Sequence, residues 1–67
     1  MKQIVENVIS DIIASRVRAR HPMEYALSIE VAHATGLSGA QVESVAREIK
    51  GIVIGRTLNH EYYKLST

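Results

Sequence analysis

The chain has no cysteine, a formal net charge of only +1, and no hydrophobic run of any length. Without cysteine there is no disulfide framework, no thiolate metal site and no cysteine nucleophile, so zinc-finger architectures fall away. No apolar stretch approaches the roughly 20 residues that span a bilayer, which argues against a membrane protein. The opening MKQIVENVISD is broken by Glu6, Asn7 and Asp11 and lacks a small-residue cleavage site. It does not read as a signal peptide, and a cytoplasmic location is expected. The weak charge balance matters most, because a protein committed to nucleic acid ordinarily shows a basic excess on some surface.

What is present fits a single small globular domain over residues 1–67: 46% of residues are hydrophobic and 22% charged. A chain this short hides only about 60% of the surface it exposes when unfolded, so its stability is modest. The basic residues lie towards the two ends. Lys2, Arg16, Arg18 and Arg20 face only Glu6 and Asp11 in the first segment, and Arg47, Lys50, Arg56 and Lys64 face Glu43, Glu48 and Glu61 in the last. Between them, residues 21–38 carry Glu24 and Glu30 and no Lys or Arg.

Apolar residues at Ile4, Val5, Val8, Ile9, Ile12, Ile13 and Val17 recur at helical spacing and predict a first helix over about 3–20. Its apolar face covers about half the circumference, more than an outer helix of so small a domain needs. Two readings stay open: the face caps a small core, or part of it, through Val5, Ile9, Ile13 and Val17, packs on a second copy of the chain. Pro22 restricts His21 and ends the helix. Met23–Leu27 then reads as an extended link or short strand, with Tyr25 and Leu27 pointing together into the core.

Ser28 is placed to cap a second helix over about 29–35, with Ile29, Val31 and Ala32 as its apolar positions. Gly36 stops it through a left-handed backbone, and Leu37 follows as a buried plug. Ser38 and Gln41 have the spacing of a capping box, predicting a third helix over about 39–50. Val42, Val45, Ala46 and Ile49 form its inward stripe, leaving Ala40, Glu43, Ser44, Arg47 and Lys50 outside. Gly51 ends that helix. The remaining GIVIGRTLNHEYYKLST is β-branched and aromatic around a polar middle, the pattern of a hairpin over about 52–65 with strands near Ile52–Arg56 and Glu61–Leu65.

The stretch VAHATGLSGAQVESV carries Val31, Ala32, Thr35, Gly36, Leu37, Ser38, Val42 and Val45 at the spaced positions of a helix-turn-helix unit. A small residue stands where the helices cross, and a glycine at the turn. Followed directly by a hairpin ending YYKL, the unit resembles the winged helix-turn-helix superfamily over Ser28–Leu65. The resemblance implies a mostly α fold of three helices with a small β-hairpin as wing. It implies the third helix in the major groove of DNA and the wing on the backbone or minor groove.

Residue by residue, the resemblance implies that Gly39 and Ala40 let the backbone approach DNA, with free N–H groups facing a phosphate. Ser38, Gln41 and Ser44 would donate to phosphates or base edges, Ala40 would touch a thymine methyl, and Arg47 would meet a guanine or a phosphate, with Lys50 beyond it. On the wing, Arg56 and His60 fall near the tip and Lys64 reaches the backbone. Arg16, Arg18 and Arg20 would add charge from the first helix. Glu43 departs from the pattern, since a carboxylate repels phosphates unless it accepts from a cytosine amino group.

Plainer readings stand beside these. Arg16, Arg18 and Arg20 suit a helix C-terminus whatever the function, and Arg47 suits an ion pair with Glu43 one turn earlier. His21, His33 and His60 belong to three separate elements without paired ligand spacing, so no metal is expected. Tyr63 reads as core and Tyr62 as free to meet a partner. No histidine is placed beside a serine and no glycine-rich phosphate loop follows a strand, so neither an enzyme nor a cofactor is expected. The expected function is a sequence-specific DNA-binding protein, a small transcriptional regulator acting as a homodimer on double-stranded DNA. The alternative is a winged-helix module that binds another protein without binding DNA.

Overall fold

The wide apolar face of the first segment divides between core and surface. In a computed structural model, which describes residues 1–66, helix α1 spans Lys2–Arg18. Val5, Ile9 and Ile13, spaced by four and so within about 80° of one another, are buried in the chain's own core. Ile4 lies to one side and is 57% exposed; Val17, one turn beyond Ile13, is 48% exposed. Three of the four residues expected at an interface between copies are therefore enclosed by this chain itself, and only Val17 remains outside.

The helix ends two residues before the expected boundary. Arg20 adopts φ 55, the left-handed region, and is the one non-glycine residue with positive φ among those described. The N–H of His21 donates to the Arg16 carbonyl at 2.9 Å and that of Arg20 to the Val17 carbonyl at 3.1 Å. This crossed pair satisfies the last carbonyls in the manner of a Schellman motif, with arginine where glycine is usual. Pro22 follows, so the chain cannot resume a helix at His21.

Strand β1 (Ala26–Leu27), helix α2 (Ser28–Thr35), helix α3 (Gly39–Ala46) and strands β2 (Ile52–Arg56) and β3 (Glu61–Leu65) complete the order. The sheet is antiparallel with order β1-β3-β2. Ala26 pairs with Tyr63, which pairs in turn with Ile54. The expected facing of β1 is inverted: Ala26 is fully buried while Tyr25 and Leu27 are only half-buried. Opposite a fully buried tyrosine a small side chain leaves room for the ring, and the larger neighbours turn to the outer face of the sheet.

At the start of α2 the cap is Leu27, not Ser28, and the Glu30 carboxylate accepts from the Leu27 N–H at 3.0 Å. Val31 is buried. Ile29, expected among the apolar inward positions, is 65% exposed, because two residues earlier on a helix lies about 200° round the axis from Val31. Gly36 closes α2 at φ 77, its N–H donating to the Ala32 carbonyl. Leu37 is half-buried against the core rather than enclosed by it.

Helix α3 begins as expected. Gln41 N–H donates to Ser38 Oγ at 3.1 Å, and Ser38 N–H to Gln41 Oε1 at 2.9 Å. Val42, Ala46 and Ile49 are buried, and half-buried Val45 packs against them. The helix stops at Ala46 instead of Lys50, since Glu48 and Ile49 donate back three residues, to Val45 and Ala46. Such tightened turns commonly end a helix. Lys50 thus lies in the turn leading to Gly51 at φ 89, outside α3. Tyr63, Ile9, Val5, Val31 and Val42 are the largest fully buried side chains, so every helix and the central strand feed one core. Among the described residues no helix is long and apolar enough to cross a membrane.

Candidate nucleic-acid interface

Two elements meet on one side of the molecule: the exposed face of α3 and the end of the β2–β3 hairpin. On α3, Ala40, Glu43, Ser44 and Arg47 fall within about 100° of one another. Ser38, Gly39, Ala40, Gln41, Ser44 and Arg47 are all exposed, while Glu43 is half-buried. The reciprocal cap uses only the acceptors of Ser38 and Gln41. The Ser38 hydroxyl proton and the Gln41 amide hydrogens are left to donate elsewhere. The N–H groups of Gly39 and Ala40 likewise have no partner within the helix, whereas that of Gln41 is taken by Ser38 Oγ.

Gly39 adds a second observation. Its φ is not positive, and a Cβ placed there would meet nothing within 4 Å. Neither backbone conformation nor internal packing asks for glycine at that position, although glycine is a poor helix former. The missing side chain leaves the start of α3 open to close approach from outside.

Charge on this face is organised around Glu43. One carboxylate oxygen lies 2.9 Å from Arg47, one turn on, and the other 3.0 Å from Arg56 on β2. Arg56 also lies 2.6 Å from Glu61, its partner across the hairpin. The Glu61 carboxylate in turn accepts from the Tyr63 hydroxyl at 2.7 Å, and that hydroxyl lies 3.2 Å from Ser28 Oγ. Having one proton, the Tyr63 hydroxyl gives it to the carboxylate and accepts from Ser28. A polar chain therefore runs from the start of α2 through the hairpin to the end of α3.

The electrostatic consequences follow the same path. Burial raises the Glu61 carboxyl, but its hydrogen bonding with Glu43 first, then with Arg56 and Tyr63, and the charge of Arg56 outweigh it and hold the group below its ordinary value. Burial, aided by the neighbouring Glu61, pushes the Tyr63 hydroxyl up to about 12. The Arg56 guanidinium is held above its ordinary value by Glu61 first and then by Glu43.

The structure does not bring every expected residue to this side. His60 is exposed at the hairpin tip, beyond Arg56. Lys64 pairs with Val53 and, by alternation from buried Tyr63, stands on the sheet face turned away from the helices. It borders an open cleft of about 420 Å³ between the end of β3 and α1, with Ile13, Val17, Pro22 and Tyr25. Arg16 is an internal brace: its guanidinium donates to the Tyr25 carbonyl and to the Glu30 carboxylate, tying α1 to the link before β1 and to α2. Burial raises the Glu30 carboxyl, yet the hydrogen bonds from Arg16 and Leu27 and the Arg16 charge hold it below its ordinary value.

Tyr62, expected to be free, stacks on Tyr25 with ring centroids 4.5 Å apart and planes tilted by 37°. Its ring also lies across Gly55, where an added Cβ would stand 2.3 Å from it. The three histidines lie apart. His21 Nδ1 accepts from the Met23 N–H, His33 is exposed on α2 and His60 is at the tip. Among the described residues no group of three or more metal-binding side chains comes together.

Sequence reasoning missed the Glu61 and Tyr63 part of the network. The signal was available in the tip length, since four residues between Arg56 and Glu61 set those two opposite each other. Comparisons with protein-family models, with curated proteins and with solved structures find no match for the chain.

Proposed function

We propose that the chain is a winged helix-turn-helix domain that binds double-stranded DNA with sequence preference, as a small transcriptional regulator. In this reading α3 enters the major groove and the β2–β3 hairpin serves as the wing. The observation that carries it is the start of α3: an exposed, small-residue surface with unspent donors, and a glycine that the fold itself does not require. Backbone N–H groups at a helix start favour a phosphate. Ser44 continues the surface towards base edges, and Arg47 and, on the hairpin, Arg56 extend it towards phosphates.

A single module of this size buries about 600 to 1,000 Å² on DNA, and a homodimer gains by reading two half-sites. With Val5, Ile9 and Ile13 enclosed, Val17 is the one expected dimer residue of α1 left outside for a contact between copies. Sedimentation at micromolar concentration tests this: a chain that stays monomeric there is not such a dimer.

A second reading, a protein-binding module, is favoured by one specific observation. Arg47 and Arg56 already face Glu43 and Glu61, so these four groups sum to zero charge. The two readings separate on binding to random-sequence duplex at about 50 and 200 mM salt, where phosphate contacts make affinity fall steeply with salt. DNA binding requires that fall, and requires Gly39→Val to weaken binding while the melting curve stays near that of the parent. No binding at the lower salt favours the protein partner.

A further inference from the structure

Leu58 is 97% exposed at the apex of the hairpin, the most exposed large apolar side chain among the described residues. The turn itself does not ask for it. Tips of this kind favour Gly, Asn, Asp and Ser for backbone reasons, and Leu58 has no positive φ that would need relieving. Its stem is nevertheless braced. Thr57 N–H donates to the His60 carbonyl at 2.7 Å, His60 N–H donates to Thr57 Oγ1 at 3.2 Å, and directly below them Arg56 is paired to Glu61 and to Glu43 of α3. A leucine held outward on a fixed stem gains nothing from its own chain.

The chemistry beside it points to what surrounds it when bound. Residues 57–60 are Thr, Leu, Asn and His, with no carboxylate; the Thr57 hydroxyl donates to the His60 carbonyl, which leaves the Asn59 and His60 side chains to donate outward. The minor groove of DNA offers acceptors at its base edges and a width of about 6 Å. Apolar side chains, leucine among them, are the kind that part stacked base pairs from that side. Resting on the DNA reading above, we propose that Leu58 is a wedge. The tip enters the minor groove, Leu58 inserts between two base pairs, and Asn59 and His60 donate to the groove edge. The preferred site contains a pyrimidine–purine step, which unstacks at least cost, and the duplex bends towards the major groove.

Leu58 packs on nothing within the chain, so Leu58→Ala keeps the parental melting curve. The test uses the full chain and duplexes of about 25 base pairs that carry a donor and an acceptor dye at their ends, with 2-aminopurine at a central TA step. The parent is expected to shorten the end-to-end distance and to brighten 2-aminopurine. Leu58→Ala is expected to bind about tenfold more weakly, with an unchanged salt slope and a straight, stacked duplex. A parent that binds without bending or unstacking the duplex overturns the wedge while leaving DNA binding in place. So does a Leu58→Ala variant that bends and brightens the duplex as the parent does. A parent that binds no duplex at all overturns the DNA reading and the wedge with it.

Discussion

Glu43 on α3 faces Arg56 on β2 at 3.0 Å, although the two lie 13 residues apart in sequence. The pair ties the hairpin to the helix and gives Glu43 a second partner besides Arg47. A carboxylate that reads as a repulsive misfit for a DNA contact is thus a holder of the two arginines beside it.

The first prediction follows from that arrangement. Glu43→Gln removes one negative charge, releases the Arg47 guanidinium and leaves Arg56 paired to Glu61 alone, so affinity for random duplex rises. Arg47→Ala and Arg56→Ala each lower the dependence of log affinity on log salt by about 0.9, one phosphate contact apiece. Titrations by fluorescence anisotropy at several salt concentrations read all three. Unchanged slopes in both arginine variants would remove these residues from any phosphate contact.

Tyr63 sets an alkaline limit. Its hydroxyl is raised from 10.0 to about 12. The folded state holds the proton more tightly than the unfolded state, so this contribution to stability is complete below pH 10 and is lost as the pH rises towards 12. Tyr63→Phe is expected to start about 1 kcal/mol less stable at neutral pH, having lost its hydrogen bonds. It should also lose less of its remaining stability across that alkaline window. Urea melts at pH 8, 10 and 11.5 provide the comparison.

At the acid end the corresponding group is Glu30. Its folded-state value lies below the ordinary 4.5, so the stability it contributes is present above about pH 4.5 and fades as the pH drops through the lower, folded value. Glu30→Gln should be less stable at neutral pH and should show a shallower loss between pH 5 and 3. Thermal melts across that range decide it, and parallel curves for variant and parent would show that Glu30 is not a source of the acid sensitivity.

Arg20 is the position where substitution should help. A left-handed backbone costs an ordinary side chain about 1 kcal/mol, and glycine adopts it freely. Arg20→Gly is expected to raise the melting temperature by a few degrees, which is what up to about 1 kcal/mol gives in a domain of this size. Arg20→Ala, which keeps the strain, should not. Equal melting of both variants would mean that the crossed hydrogen bonds at the end of α1 hold without strain.

Elements with a complete local signature were legible in the sequence. Ser38 and Gln41 located the start of α3, Gly36 the end of α2, and β-branched runs the strands Ile52–Arg56 and Glu61–Leu65. Facing was legible only where the pattern ran long enough. Two residues of β1 offer no period to rank, so Ala26 against Tyr63 emerged only from the pairing. Helix α1 shows the other limit: periodicity revealed that its apolar face was wide, but which part served the chain itself depended on where α2, α3 and β3 came to rest. The candidate interface was half legible. Its α3 residues follow from spacing, whereas the removal of Lys64 to the far face of the sheet and of Arg16 to an internal brace are tertiary facts.

The central place of β3 has a consequence for how the molecule is made. Its residues pair with β1 on one side and β2 on the other, and its Tyr63 fills the middle of the core. During synthesis, α1, α2 and α3 leave the ribosome before the strand that joins them, with Val5, Ile9 and Val31 lacking their shared neighbour. The core is therefore completed late, by a segment translated some 35 residues after the β1 edge on which it docks.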